Sequence, residues 1–429
     1  MPFAHCRVAQ AVRRSPPADL AVYDDLGLYA YLPTESVGER VMAFFHGLAG
    51  GRSVWTGPLC TRIASYCANS PYIARVLQSV LALPDPKGPG CVHPDPFGVV
   101  HTVRLPVADS DSFRQSPERA ELPAVLTQAL DGPDVLGHAI QPCKIDFIAV
   151  SAILVYLNAL AKERGRPGRY RLCIFEDDLS ALRRLLRSPE LDERGQAARA
   201  VLMGELERAG LSLDDLFVGV PWLSQTALFA LMKRCGFGLA YNSVPEALGF
   251  YVIESVLNGC PIYTNGAGNY RFLLPAGSGI RVSETVDMHF GDIAGYREVA
   301  RSILDDVESG RGRDACRAGA TRLRAEYTSE SFSRDLDACL RKVDEPPPDP
   351  IDADPLVITL SPVVRAWDGG RRVISDHVST ELPAERAELL RQLLGMRWAD
   401  ARGLARERQE VEDLFCDGLI ALAPPAPSP

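Results

Sequence analysis

From about residue 131 to 282 the chain alternates between two hydrophobic rhythms. Short, wholly apolar runs stand at Tyr170–Phe175, Leu216–Pro221, Phe237–Tyr241 and Cys260–Thr264. Between them lie segments with apolar positions every three or four residues: Ile145–Glu163, a charged stretch over 180–210, Ser224–Cys235 and Phe250–Leu257. The runs have strand character and the segments between them helical character. Strands alternating with helices predict a parallel sheet covered by helices on both faces. Upstream, Leu20–Asp24 and Leu28–Leu32 read as a strand and a short helix. Arg40–His46 reads as a buried strand ending at a polar residue and Gly47, and Ile63–Tyr72 as a strand entering a helix over Tyr72–Leu83. A Pro/Gly-rich loop over 84–98 precedes another strand, Val99–Pro106. Downstream, helices are predicted over 292–308 and 314–342, followed by a Pro/acidic linker over 344–355. Leu356–Leu360 reads as a strand, 385–394 and 399–415 as helices, and 418–422 as a closing strand before a Pro-rich tail.

The stretch Tyr241–Val282 carries the clearest candidate chemistry. Gly259 suits the left-handed position after the helix over 250–257, and Pro261 prevents its continuation. Gly266 and Gly268 tighten the loop after the next strand. Glu246 and Glu254 flank Gly249, whose missing Cβ lets a ligand approach the backbone. The N–H groups of Gly249, Phe250 and Tyr251 open the helix, and a helix start favours an anion. Glu254 lies about one turn further on, where its carboxylate can accept bonds from hydroxyls beside a bound phosphate. The plainer alternative is an acidic residue before a helix and a second Glu in solvent. His46 ends a strand, and in open α/β sheets ligands sit beyond the carboxyl ends of strands; a structural histidine is the alternative.

As a joint pattern, Glu246-Ala-Leu-Gly249-Phe250-Tyr251-Val-Ile-Glu254, Ser255, Gly259, Pro261-Ile262 and Gly266-Ala-Gly268 resembles the donor-site signature of retaining GT-B glycosyltransferases, specifically glycosyltransferase family 4. The resemblance implies an α/β GT-B fold: two facing, doubly wound Rossmann-like domains, here with a small α+β, winged-helix-like appendage. The expected divisions are an N-terminal domain over 1–130, a nucleotide-sugar-binding domain over 131–343 ending in a crossover helix, a linker over 344–355, the appendage over 356–423 and a tail over 424–429. It further implies that His46 faces the donor sugar, that Lys144 offsets the leaving diphosphate and that Glu246 holds the sugar hydroxyls. Gly249, Phe250 and Tyr251 would receive phosphate, Glu254 the ribose hydroxyls, and the loop of Gly219 the nucleotide base. Lys144 keeps the family's spacing of six from residue 138, but His138 stands where the family has an Arg that helps hold the diphosphate. Glu176–Asp178 replaces a Gly-rich turn, and the family's opening strand, Gly-rich loop and helix are not found. The appendage distantly resembles the peptide-binding modules attached to peptide-modifying enzymes; a plain packing appendage is the alternative.

Composition narrows the function further. The 429 residues are 46% hydrophobic and 24% charged, ordinary for a globular protein of two or three domains. A net charge of −9 argues against nucleic acid as a partner. Eleven Cys lie scattered without a C-x-x-C or zinc-ligand spacing. There is no apolar run long enough for a transmembrane segment and no signal-peptide core, so a cytoplasmic enzyme is expected. No Asp-x-Asp pair stands at the place where this family type would hold a metal, so no metal and no cofactor beyond the nucleotide-sugar donor is expected. The expected activity is hexosyl transfer with retention to an acceptor of undetermined class: glycan, lipid, small molecule or peptide. The alternatives are a non-catalytic GT-B-like nucleotide- or sugar-binding scaffold and a sugar-nucleotide epimerase on the same fold.

Overall fold

A computed structural model of the chain describes residues 21–24, 41–45, 63–84, 90–108, 121–141, 145–166, 168–187, 193–273, 279–282, 294–345, 349–376, 379–404 and 408–425. The chain divides into two compact units, Met1–Pro106 with Thr328–Pro429, and Val107–Tyr327. The first unit opens with four parallel strands, β1 (Ala21–Asp24), β2 (Val41–Phe45), β3 (Ile63–Ala68) and β4 (Val100–Thr102), in the order β1-β2-β3-β4. After β3, the Ser70 hydroxyl accepts the Ile73 N–H at 3.3 Å and Pro71 fills the first helical position, which starts α1 (Pro71–Leu81). The helix buries Tyr72, Ile73, Val76, Leu77 and Leu81. The helix expected near residue 28 and the strand-ending His46 lie outside the described residues.

The second unit contains α2 (Ala124–Leu130), β5 (Val135–His138), α3 (Phe147–Glu163), β6 (Tyr170–Phe175), α4 (Glu176–Arg187) and α5 (Glu193–Ala209). It continues with α6 (Leu213–Leu216), β7 (Phe217–Val220), α7 (Gln225–Arg234), β8 (Phe237–Ala240), α8 (Phe250–Leu257), β9 (Ile262–Thr264), β10 (Ile280–Val282), α9 (Ala294–Ser309) and α10 (Arg311–Glu326). Six parallel strands form one sheet in the order β10-β9-β8-β5-β6-β7. Its main core joins α3 to the strands and to α5 and α9, with Val150, Ile153, Leu154, Leu157, Leu172, Phe237, Leu239 and Ile303 inside. The charged stretch over 180–210 is divided between two helices, α4 and α5. Glu176, Asp177 and Asp178 form no turn; they are the first turn of α4, where acidic side chains complement the helix dipole.

The helix expected over 314–342 is two helices, α10 and α11 (Ser329–Val343). Thr328 separates them: its side chain accepts the Ser331 N–H at 3.0 Å and caps a fresh helix. That cap is also where the chain leaves the second unit for the first. The helix α11 packs on β2, β3 and β4, burying Cys339 and Val343 with Met42, Cys67 and Val103. Arg104 meets the nearly buried Asp335 at 2.8 Å. The Pro/acidic stretch is not a free spacer along its whole length. Ile351 donates its N–H to the Pro94 carbonyl at 2.8 Å and Ala353 is fully buried, because this half of the stretch has apolar side chains to dock.

The appendage has β11 (Val357–Leu360), β12 (Val364–Trp367), β13 (Arg372–Ser375), β14 (Ser379–Glu381), α12 (Ala384–Leu393), α13 (Trp398–Arg402), α14 (Arg408–Cys416) and β15 (Ile420–Ala423). β11 pairs antiparallel with β15, and β12, β13 and β14 form an antiparallel sheet that the apolar pattern did not reveal. The helix expected over 399–415 is likewise two short ones. Ile358, Leu390, Leu393, Leu414 and Leu422 share a core with Ala82, Leu83, Cys91 and Phe97, so the appendage is packed into its unit.

Candidate functional site

In the six-stranded sheet the order runs outward from the β5/β8 junction in both directions. Such a switch point opens a crevice at the carboxyl ends of the strands. The loops leaving β5, β8 and β9 meet there and are stitched together. Asp146 donates its N–H to the Tyr241 carbonyl at 2.7 Å, and its side chain accepts from Ile148 and Ala149 to cap α3. The Asn265 amide donates to the Asn242 carbonyl at 2.8 Å, and the Asn269 amide to the Leu248 carbonyl at 2.6 Å. Gln141 and Asn242 both donate to the Tyr270 hydroxyl, at 3.0 and 3.1 Å.

Two glycines make this arrangement possible. Gly268 has φ +61°, and a Cβ on it would lie 2.3 Å from the Glu246 carbonyl oxygen. The close approach lets Asn269 donate its N–H to that carbonyl at 2.7 Å. Glu246 is thereby clamped by its backbone and is only 8% exposed. Gly249 has φ +92° and caps α8; a Cβ there would press on Leu273 and Tyr270 at 3.1 Å. Its carbonyl accepts from Val252 and Ile253, so the Phe250 and Tyr251 N–H groups precede the first intrahelical bonds. Phe250 is 40% exposed at this helix start. One turn on, Glu254 accepts a hydrogen bond from Gln225 at 3.0 Å. Burial raises its carboxyl from the usual range to about 7, with the Gln225 bond acting the other way.

His138 does not reach into the crevice. It is fully buried, at the end of β5 beside Gly238 of β8. A Cβ on Gly238 would lie 2.7 Å from the imidazole Cε1, so that glycine makes the space for the ring. Nδ1 pairs with the Tyr251 hydroxyl and Nε2 with the Ser255 hydroxyl at 3.1 Å. Burial pushes the imidazole down to about 3. His138 thus does not stand in the crevice in place of the family's diphosphate-holding Arg: the ring is sealed, neutral and already satisfied on both nitrogens. Tyr251 is likewise turned inward, 8% exposed, with its hydroxyl accepting the Ile140 N–H at 2.8 Å. Only its backbone N–H belongs to the helix start.

Gly219 lies on β7, separated from β5 by β6. A Cβ there would meet the Glu176 carboxylate at 2.8 Å and Leu179 at 3.3 Å, so its small size serves the packing of α4. The sequence reading missed a residue just beyond. Trp222 is 69% exposed and stacks on Phe175 with ring centroids 4.5 Å apart. A Trp directly after Pro221 at a strand's carboxyl end was the signal available for it. The loop it occupies leads into α7, whose Gln225 holds Glu254. Lys144, like His46, lies outside the described residues. Among the described residues no group of three or more His, Cys, Asp or Glu could hold a metal, and no helix is long and apolar enough to cross a membrane. The crevice thus offers a helix start, a half-buried carboxylate raised to about 7 and a second carboxylate residue clamped by its backbone, with an exposed aromatic ring at the β7 edge of the same sheet. Together they suit a ligand carrying phosphate, hydroxyls and a flat ring.

No protein-family model matches the sequence, and no curated protein matches it. Solved structures do match by shape. A UDP-forming α,α-trehalose-phosphate synthase from Burkholderia vietnamiensis has a TM-score of 0.52 at 14% identity, covering 80% of this chain and 80% of that one. A glycosyltransferase from Rickettsia africae has a TM-score of 0.52 at 11% identity, covering 81% of this chain and 83% of that one. Anabaena HepE, solved in complex with UDP and glucose, has a TM-score of 0.51 at 14% identity, covering 79% of this chain and 81% of that one. The chain has the GT-B fold.

Proposed function

We propose that the chain is a glycosyltransferase that moves a hexosyl group from a nucleoside diphosphate sugar to an acceptor with retention of anomeric configuration, as a member of the family 4 type. The observation that carries this reading is the glycine-capped start of α8 with Glu254 one turn along, at the switch point of the sheet. A helix start attracts a diphosphate, and a carboxylate at that distance accepts hydroxyls from the adjoining ribose. The solved neighbours, one of them in complex with UDP and glucose, agree with a uridine diphosphate donor.

In this reading the departing diphosphate is the hard part of the reaction. The N–H groups at Phe250 and Tyr251 and the ammonium of Lys144 offset its growing charge, while Glu246 and His46 hold the sugar. The transition state resembles that of glycoside cleavage, with an oxocarbenium-like sugar. With no Asp-x-Asp pair at the expected place, the reaction in this reading needs no divalent metal, and EDTA should leave the rate unchanged. The test is release of free UDP from UDP-glucose, followed over a panel of nucleotide-sugars with cell extract as acceptor. Slow release without acceptor, accelerated by extract, supports the enzyme. Tight UDP binding without any release favours a scaffold that has kept the site, a reading to which the neutral, buried His138 lends some weight. Interconversion of donors without release would mark an epimerase.

A further inference from the structure

The polar groups behind the start of α8 form a chain in which every proton has one place to go. The Tyr251 hydroxyl accepts the Ile140 N–H at 2.8 Å. Its own proton is left for Nδ1 of His138. A neutral imidazole with a bare Nδ1 carries its proton on Nε2, which faces the Ser255 hydroxyl at 3.1 Å. The Ser255 proton then goes to the Cys260 carbonyl at 3.0 Å. The directions are consistent from end to end, and protonating the imidazole would break them, because Nδ1–H would oppose the Tyr251 O–H. Around this chain stand Tyr270, Cys235 and Cys260, each buried and held above its usual pKa by that burial; none supplies a charge. From β8, Gly238 faces the ring.

The first link of this hydrogen-bond chain joins the two sides of the crevice. Ile140 lies in the segment that leads from β5 toward Lys144, and Tyr251 lies in the first turn of α8. Resting on the glycosyltransferase reading, we propose that His138 is a positioning residue that touches no ligand. It fixes Tyr251, and through it the distance between the β5 exit and the start of α8, so that both can grip one diphosphate.

The test uses UDP and uridine as probes of the full chain by isothermal titration. Uridine reaches Glu254 but carries no phosphate. Tyr251→Phe keeps the ring and removes the hydroxyl that serves both Ile140 and His138. Ser255→Ala removes the acceptor of Nε2–H. Each should weaken UDP about tenfold and leave uridine unchanged, with the double variant weaker than either by much less than another tenfold, since both break one chain. A merely structural role would move uridine as well, or neither ligand. Unchanged UDP affinity in a folded Tyr251→Phe variant would overturn the proposal. Nitrogen NMR of the ligand-free parent gives an independent arm: His138 should remain the Nε2–H tautomer from pH 5 to 8, and an imidazolium appearing in that range overturns the brace. If the parent binds uridine but not UDP, the positioning role fails while the nucleoside site stands. If it binds neither, the glycosyltransferase reading fails and takes the role with it.

Discussion

The two parallel sheets of this molecule differ in one respect that decides where chemistry can sit. Among the described strands, the first sheet adds each strand in chain order, β1-β2-β3-β4. The second turns back at β5, so that the connection from β5 goes one way and β8 is laid on its other side. Strands added in one direction leave no switch point among them. Loops at the β5/β8 junction diverge, and the gap has to be bridged by side chains and close backbone contacts. Two glycines show a related contrast between the crevice and the appendage. In the appendage, Gly395 has φ +85° with nothing near its missing Cβ, so only its backbone angle matters. At the crevice, Gly268 needs both its angle and its empty Cβ position.

If the diverging loops carry the reaction, the largest effect should come from Lys144, which the sequence places six residues beyond His138. Lys144→Ala should lower kcat by about 3–4 kcal/mol, a hundredfold or more, with a smaller change in UDP-glucose binding. Charge on the diphosphate grows as the bond breaks, so the Lys acts most strongly in the transition state. Steady-state kinetics on a variant shown to be folded by circular dichroism decide it; a rise in KM with kcat unchanged would restrict Lys144 to ground-state binding.

The glycine contrast gives the next effect. Gly268→Ala should cost about 3 kcal/mol, combining a strained angle with overpacking against Glu246. Gly395→Ala should cost about 1 kcal/mol, from the angle alone. Urea unfolding compares them, and equal losses would mean that the close contact at Gly268 relaxes without penalty.

How much of this could be read beforehand depends on whether a residue's neighbours in sequence or in space decide its state. The α8 boundaries, Phe250–Leu257, were legible because Gly249, Gly259 and Pro261 set them locally. The break at Thr328 was not, because the apolar periodicity continues across it and only the cap bond to Ser331 and the return to the first sheet divide it. The antiparallel strands β12, β13 and β14 were missed for want of a clean alternation. The state of His138 could not be read from its spacing to Lys144. It depends on Gly238, Tyr251 and Ser255, which lie 100 or more residues away.

His138 and Glu254 give opposite pH signatures, both readable in stability. The His138 pKa in the folded chain, about 3, lies below its ordinary value of 6.5. The unfolded chain therefore takes up a proton first, and stability is lost as pH falls below about 6.5. The Glu254 pKa, about 7, lies above its ordinary 4.5. Here the folded chain holds the extra proton, and stability declines as pH rises from about 4.5 through 7. For binding, the carboxylate is the form that accepts ribose hydroxyls, so uridine affinity should rise through pH 7. Glu254→Gln should flatten that rise and weaken both uridine and UDP by about 1.5–3 kcal/mol at pH 8. A flat profile in the parent would remove Glu254 from the ribose.

The smallest effect should lie at the edge of the same sheet. Trp222 keeps most of its ring in water while resting on Phe175, an arrangement with little gain in stability. A stacked aromatic pair contributes about 0.5–1.5 kcal/mol, and less where one ring is so open. Trp222→Ala should therefore change the unfolding free energy by under about 1 kcal/mol. If the exposed face receives a nucleobase, uridine and UDP should both weaken by about 1 kcal/mol, at the low end for base stacking on an aromatic ring. Trp222→Phe should recover most of the loss. The chain has four Trp, and Trp222 is the one among the described residues on this sheet's carboxyl edge, so UDP should quench part of the intrinsic fluorescence in the parent and none in Trp222→Ala. Equal quenching in both proteins would move the base away from β7 and leave the nucleotide to the β5/β8 crevice alone.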